Sequence, residues 1–392
     1  MANYNFTRPL ERNDSTSIKT NQTVIKQVLG LNYYPDTIPM WVADMDFECA
    51  PAIVEALSKR AAQGNFGYSY LSDEYFESVI NWYGRRHDMN IDKQWLVFSN
   101  GTVSAIRNVV RAFTEQGDGV IIQPPVYYPF EMQIKETGRE VVRNHLLKDK
   151  DNHYRIDLDD FERQCKDPKN KLFIYCNPHN PTGNIWSREV TQELLRLCHE
   201  NGVMVFSDEI HADLIRQGES FTSALNLKFS DNVIVATAVN KTFNVAGLHI
   251  TNLVIKNKTV RKTLNNFTGW IGVSPFAVDA TIAAFNQEEA WVEEVNQVIT
   301  HNMAYMEQYL GTHLPKVKFF VPQATYLAWL DFSAFGMEEK ELLNKIADQA
   351  HLILEGGSMF GEHGKGFIRI NVACPTSILE EALHRLVHAL GD

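Results

Sequence analysis

The chain has 392 residues, 44% of them hydrophobic, and a formal net charge of -11 with a pI near 5.7. That composition and length support a large core and more than one domain, while the acidic balance and the lack of a Lys/Arg block argue against non-specific nucleic-acid binding. Five scattered cysteines without C-x-x-C spacing suggest neither a disulfide framework nor a zinc site. Residues 1–8 lack the apolar core of a signal peptide, and no apolar run reaches membrane-spanning length, so a cytoplasmic protein without membrane or nucleic-acid partners is expected.

The first forty or so residues are polar and aromatic without clear periodicity and lead into Trp41-Val42-Ala43-Asp44-Met45-Asp46-Phe47. Pro51 opens a predicted helix to Gln63, since proline suits a first helical turn. Residues 65–70 read as a loop, and Ser72 caps the next helix. Strands predicted at 95–98, 119–123, 172–175, 203–207, 233–237 and 252–255 then alternate with helices such as 102–114 and 188–201. Alternation of this kind implies a mostly parallel sheet covered on both faces. After Phe285 the pattern changes. A long amphipathic helix at 291–310, strands at 317–321, 326–330 and 367–372, and helices from Glu338 and Ser377 predict a smaller α/β domain completed by the N-terminal segment. The expected division is a large domain over 48–288 and a small domain from 1–47 and 289–392.

Candidate functional residues gather where these strands end. The apolar, β-branched run Val233-Ile234-Val235-Ala236-Thr237 breaks into Ala238-Val239-Asn240-Lys241-Thr242-Phe243. A lysine at the carboxyl end of a core strand lies where open α/β sheets bind ligands. Beside a dry core its amine has a lowered pKa and can attack a carbonyl as the free base. A surface lysine in a loop is the alternative. Phe98-Ser99-Asn100-Gly101-Thr102-Val103-Ser104 is a strand, a glycine turn and a helix start. It can bind phosphate through free N–H groups, or simply be capped by Asn100 or Thr102. Neither G-x-G-x-x-G nor G-x-x-x-x-G-K-[ST] occurs, which weakens nucleotide readings. Gln123-Pro124-Pro125-Val126-Tyr127-Tyr128 puts aromatic rings past another strand, to stack on a flat heterocycle or to fill the core. Asn177-Pro178-His179-Asn180-Pro181-Thr182-Gly183 is β-turn material that offers the Asn180 amide at a strand end.

In Val203-Met204-Val205-Phe206-Ser207-Asp208-Glu209-Ile210-His211, Asp208 stands at the edge of the core. An ionised acid there needs a cation or several hydrogen bonds, and His211 follows three residues later. Asp208, Glu209, His211 and His179 could be read as metal ligands, but no H-E-x-x-H pair is present and no metal is expected. Arg369, inside Phe367-Ile368-Arg369-Ile370-Asn371, wants a carboxylate, either structural or from a substrate.

In this order the motifs resemble those of fold-type I pyridoxal-phosphate enzymes, and nearly the whole chain is similar to the class I/II aminotransferase family. Residues 41–47, 66–69, 125–130 and 207–211 look most like the cystathionine β-lyase branch of MalY/PatB-type C–S lyases. The resemblance implies an aspartate aminotransferase-like α/β fold: a large domain with a mostly parallel seven-stranded sheet, plus a smaller α/β domain. It implies that Lys241 forms the Schiff base with pyridoxal 5′-phosphate and that Asp208 pairs with the pyridine nitrogen. Tyr127 would stack on the ring, Asn180 and His211 would flank its phenolic oxygen, and Gly101, Thr102 and Val103 would hold the phosphate. Tyr68 would reach the phosphate of a neighbouring subunit, giving a homodimer with shared sites. Arg369 would bind the substrate's α-carboxylate. Two positions depart from the family pattern. Asn240 stands where many relatives have serine, and His249 where many aminotransferases place a phosphate-binding arginine, so the phosphate grip stays open. The implied activity is α,β-elimination from L-cystathionine or another L-cysteine S-conjugate to a thiol, pyruvate and ammonia. An aminotransferase is the alternative, and a binding or regulatory module on this fold a third reading.

Overall fold

Seven strands form the central sheet: β1 (Leu96–Ser99), β2 (Gly119–Ile122), β3 (Glu140–Arg143), β4 (Asn170–Cys176), β5 (Met204–Asp208), β6 (Val233–Thr237) and β7 (Thr251–Val254). In this computed structural model, which describes residues 4–12 and 16–391, they lie in the order β1-β7-β6-β5-β4-β2-β3. Residues 1–3, 13–15 and 392, part of the expected small domain, lie outside the described residues. Strand β7 runs antiparallel to both β1 and β6, and every other pairing is parallel. The fold is thus α/β with a mostly parallel sheet, as the alternating pattern predicts.

Side chains along the central strands divide strictly by parity. Phe173, Tyr175, Val205, Val233 and Val235 pack into one apolar core, whereas Leu172, Ile174, Cys176, Phe206, Ile234 and Ala236 pack into a second. Period-two geometry sends neighbours to opposite faces, and both faces are covered, so the strands read as continuous apolar runs. The second core is closed by α3 (Thr102–Phe113), counted after α1 (Pro51–Ala62) and α2 (Asp73–His87). Helix α3 buries Ala105, Ile106, Val109 and Val110, the i, i+1, i+4, i+5 stripe of an amphipathic helix. Each such side chain contributes roughly 1.5–3 kcal/mol when fully buried, Ala105 less. α4 (Arg188–Glu200) packs on the other face through Leu194, Leu195, Leu197 and Cys198. It opens with the Ser187 side chain accepting from Val190 N.

Beyond α5 (Val239–Thr242) and α6 (Pro275–Gln287) the chain enters α7 (Glu289–His313), with only Glu288 between the last two. A second, antiparallel sheet follows, with β8 (Leu327–Asp331), β9 (Glu355–Gly356) and β10 (Phe367–Asn371) in the order β8-β10-β9. Helices α8 (Glu339–Ala350) and α9 (Thr376–Leu390) pack beside it. Residues Ile38–Pro39 pair in parallel with Leu352–Ile353, which fastens the N-terminal segment to this part of the chain. The strand predicted at 317–321 does not form. That stretch makes only an isolated bridge from Lys318 to Asp331, because Pro315 and Pro322 bracket it and cannot donate to a ladder.

Candidate active site

Parity carries straight from the core to the cavity. Asp208 is two residues beyond Phe206, so it continues the face covered by α3, and its register partner is Cys176 at the end of β4. Helix α3 begins on that face one short turn after β1. A cavity of ≈ 320 Å³ opens here, at the carboxyl ends of the strands, and its lining includes Gly101, Thr102, Val103, Tyr127, Asn180, Asp208, His211 and Lys241. Every candidate named from the sequence for the cofactor is in that one lining, except Tyr68.

The start of α3 is an open anion seat. Gly101 occupies the N-cap with φ 88°, a conformation that favours glycine, and no side chain caps the first turn. Neither Asn100 nor Thr102 caps the helix; the Thr102 hydroxyl instead meets that of Thr251 at 2.9 Å. Uncapped N–H groups at the positive end of a helix dipole suit a phosphate. His249 flanks the same turn, its Nδ1 3.7 Å from where a Gly101 side chain would begin.

Lys241 reaches the cavity from α5. Its Nζ donates to the Ala43 carbonyl at 2.7 Å, and burial, then the nearby Arg369, pushes its pKa down to about 8. Asp208 is 4% exposed and accepts a hydrogen bond from Ile210 N at 3.3 Å. Burial raises its pKa to about 7, with Ile210 and Lys241 pulling the other way. A carboxylate so placed lacks the close cation its charge requires. His211, by contrast, is kept neutral: burial pushes its pKa down to about 3 and its Nδ1 has no partner among the described residues. Glu209 turns away to Ser207 and the Ala224 N–H, so the acids and histidines of this segment do not converge as metal ligands.

Asn180 and Arg369 meet across the two sheets, Arg369 Nη1 donating to Asn180 Oδ1 at 3.1 Å. Nη2 of Arg369 donates to the Trp41 carbonyl at 3.0 Å and is in ion-pair contact with Glu355, which lies directly opposite on β9. The 41–46 segment therefore folds its backbone carbonyls over both Arg369 and Lys241. It is pinned there by Asp44 and Asp46, which share Arg12 and the fully buried Lys19 at 2.6–3.2 Å. Tyr68 stands apart. It is 96% exposed, its ring meets Trp270 at 5.9 Å, and Phe66, Tyr70 and Trp270 are exposed beside it.

Sequence reasoning missed Asp213, five residues past Asp208. Its carboxylate accepts from Trp82 Nε1 at 3.1 Å, Arg86 Nε at 3.1 Å and Thr242 Oγ1 at 2.9 Å, and pairs with His87 Nε2 at 2.8 Å. Since Thr242 adjoins Lys241, this buried acid anchors the turn that presents the lysine. Only the run Asp208-Glu209-Ile210-His211-Ala212-Asp213 hinted at it, as an acid among core residues. Burial acts to raise the Asp213 pKa, but the His87 bond, with Arg86 and Trp82, holds it at about 2. A carboxylate depressed on folding stabilises above its unfolded value near 3.8, and that stability is lost as pH falls through the folded value near 2. Asp213→Asn is accordingly expected to cost about 3–5 kcal/mol at pH 7, because it leaves Arg86 and His87 facing a neutral group. Denaturant melts should show the gap from the unsubstituted protein narrowing by about 2 kcal/mol between pH 4 and 2; a gap independent of pH would contradict the charge argument.

Residues 35–386 match the family model described as aminotransferase class I and II. The chain belongs to that family. Among curated relatives, cystathionine beta-lyase PatB of Bacillus subtilis (strain 168) is 41% identical over 392 residues, covering 99% of this chain and 100% of that one. Among solved structures, cystalysin from Treponema denticola, which contains pyridoxal 5′-phosphate, superposes with a TM-score of 0.93 at 34% identity, over 99% of this chain and 98% of that one. The pyridoxal-phosphate-bound C–S lyase from Staphylococcus hominis superposes with a TM-score of 0.92 at 32% identity, over 100% and 99% of the two chains. In this chain the arrangement is a lysine just past the end of β6, a buried acid and an open helix terminus around one cavity.

Proposed function

We propose that this protein is a pyridoxal 5′-phosphate-dependent C–S β-lyase. It cleaves L-cystathionine or another L-cysteine S-conjugate by α,β-elimination, releasing a thiol, pyruvate and ammonia. The observation that carries the reading is the shared cavity: Lys241 with a pKa near 8, Asp208 without a close cation, and the uncapped start of α3 line the same ≈ 320 Å³. Those three features fit the cofactor's three demands, an amine for its aldehyde, an acid for its ring nitrogen and donors for its phosphate. Full-length similarity to a cystathionine beta-lyase favours this outcome over transamination. No helix among the described residues is long and apolar enough to cross a membrane. We take residues 48–288 as the large domain and 1–47 with 289–392 as the small one, in a cytoplasmic enzyme.

The cofactor, when bound, supplies an electrophilic carbon for the substrate amine and an electron sink for charge left at Cα. The chain's own residues do the rest. Lys241, as free amine, takes the Cα proton; a pKa near 8 leaves a useful fraction unprotonated at neutral pH. With the cofactor in place, Asp208 would keep a proton on the ring nitrogen and Tyr127 would lie against the ring. Asn180 and the neutral His211 would serve the phenolic oxygen, and Gly101, Thr102 and Val103 would hold the phosphate. Arg369 orients the substrate through its α-carboxylate. The electron pair left at Cα forms the Cα=Cβ bond as the Cβ–S bond breaks with its pair leaving on sulfur. The thiolate takes the proton that Lys241 holds and leaves as the thiol, and the released 2-aminoacrylate takes up water to give pyruvate and ammonia.

Supplying L-cystathionine alone, without a keto acid, tests the reading. A lyase should release pyruvate over many turnovers. A transaminase would stop after about one turnover per site for lack of an amino acceptor, and that result would replace the lyase reading.

We also propose a homodimer in which Tyr68 completes the partner's phosphate site. Its exposure, and that of Phe66, Tyr70 and Trp270 around it, is what an aromatic contact surface offers. Mixing Lys241→Ala with Tyr68→Phe subunits is expected to restore activity absent from either alone, because one site per mixed dimer carries neither lesion. Mixed dimers without recovery would end the shared-site model.

A further inference from the structure

Arg369 already faces a carboxylate. Its β10 position faces Glu355 of β9 in register, and the two side chains, 4% and 3% exposed, are in ion-pair contact through Nη2 and Oε2. The remaining guanidinium contacts are spoken for unevenly. Nη1 donates to Asn180 Oδ1, Nη2 also donates to the Trp41 carbonyl, Nε has no hydrogen-bond partner among the described residues, and the Phe360 ring covers the group at 4.8 Å.

A carboxylate that grips a guanidinium with both oxygens uses either the Nη1–Nη2 edge or the Nε–Nη2 edge. Both edges contain Nη2, and Nη2 faces Glu355. We infer that Glu355 is a resident competitor for the substrate's carboxylate seat, a positioning residue that must give up Nη2, or its own charge, each time substrate binds. The inference rests on the assignment of Arg369 to the substrate carboxylate.

Charge makes the competition a proton-coupled one. One guanidinium neutralises one carboxylate, and a second in the same dry site favours the protonated form of one of them. The other titratable groups reaching Glu355 are Tyr127 and Tyr128, both kept neutral by burial. Glu339 of α8 lies against the next residue, Gly356, and is taken up by the Ser358 N–H. No second cation among these groups relieves the crowding. Burial already pushes the Glu355 pKa up against the pull of Arg369, so Glu355 is the acid that takes the proton.

The test is calorimetric titration of the cofactor-loaded protein with propionate, an unreactive monocarboxylate, in two buffers of different ionisation enthalpy. The unsubstituted protein should take up protons as propionate binds near neutral pH. Glu355→Gln should bind propionate about tenfold more tightly or better, with that uptake gone. Arg369→Ala should lose propionate binding. Equal or weaker affinity in Glu355→Gln, equal uptake in both proteins, or undiminished binding in Arg369→Ala would overturn the inference. If Glu355→Gln fails to fold, the absence of proton uptake in the unsubstituted protein still overturns it, and its presence, lost with propionate binding in Arg369→Ala, supports it. None of these readouts requires elimination chemistry. A protein that makes no pyruvate from L-cystathionine would fail as a lyase and leave the titration readable.

Discussion

Lys241→Ala is expected to remove elimination activity by more than about 10⁴-fold, since the proposed anchor for the cofactor and the proposed base at Cα are lost together. The fold should survive. In the structure the amine makes one hydrogen bond, to the Ala43 carbonyl, and the cavity accepts a shortened side chain without an unpaired charge. The cofactor-free protein offers a second readout. A lysine whose pKa falls from 10.5 to about 8 on folding binds fewer protons folded than unfolded between those values. Stability contributed at this site therefore rises as pH climbs from 8 to 10.5, and the increment should be missing from the alanine variant. Substantial turnover by Lys241→Ala with cofactor supplied would sink the assignment, whatever the melts show.

How far the sequence reached follows the range of the interactions involved. Asp208 and Lys241 are legible because Asp208 ends one continuous apolar strand and Lys241 follows another within one turn, and a polar residue there has little reason to exist except function. Parity along β5 even tells which face Asp208 joins, once Phe206 is known to pack beneath α3. What escaped is set by contacts distant in the chain. The acceptor of the Lys241 amine, Ala43, lies 198 residues away. Glu355 was invisible because β9 is two residues long and has no periodicity to read. Strand β3, with the half-exposed pattern of an edge strand, offered four residues of mixed polarity and was likewise missed. The expected strand at 317–321 failed in the opposite way: Val317, Phe319 and Val321 alternate correctly, and the flanking prolines overrule them. Capping of α3 by Asn100 or Thr102 was the ordinary expectation, and its absence is what leaves the helix terminus open to a ligand.

Asp208→Ala is expected to cost on the order of 3–5 kcal/mol of transition-state stabilisation, about 10²–10⁴-fold in rate, because a cationic ring nitrogen would then be buried without its counter-charge. Cofactor retention should weaken in parallel, as dialysis followed by absorbance would measure. Glu140→Gln, on the exposed edge strand, provides the control and should change neither. The protein without cofactor should respond in the opposite sense. Burial raises the Asp208 pKa from 3.8 to about 7, so the folded state binds more protons than the unfolded one between those values. Stability at this site falls as pH rises through that window, and above pH 7 the ionised acid is a standing cost. Asp208→Asn, which keeps the shape and removes the charge, should therefore melt later than the unsubstituted cofactor-free protein at pH 8 and no later at pH 4. A residue that destabilises the empty fold and is required in the loaded one is held for its ligand. Normal cofactor retention and near-normal turnover in Asp208→Ala would reduce Asp208 to a structural acid.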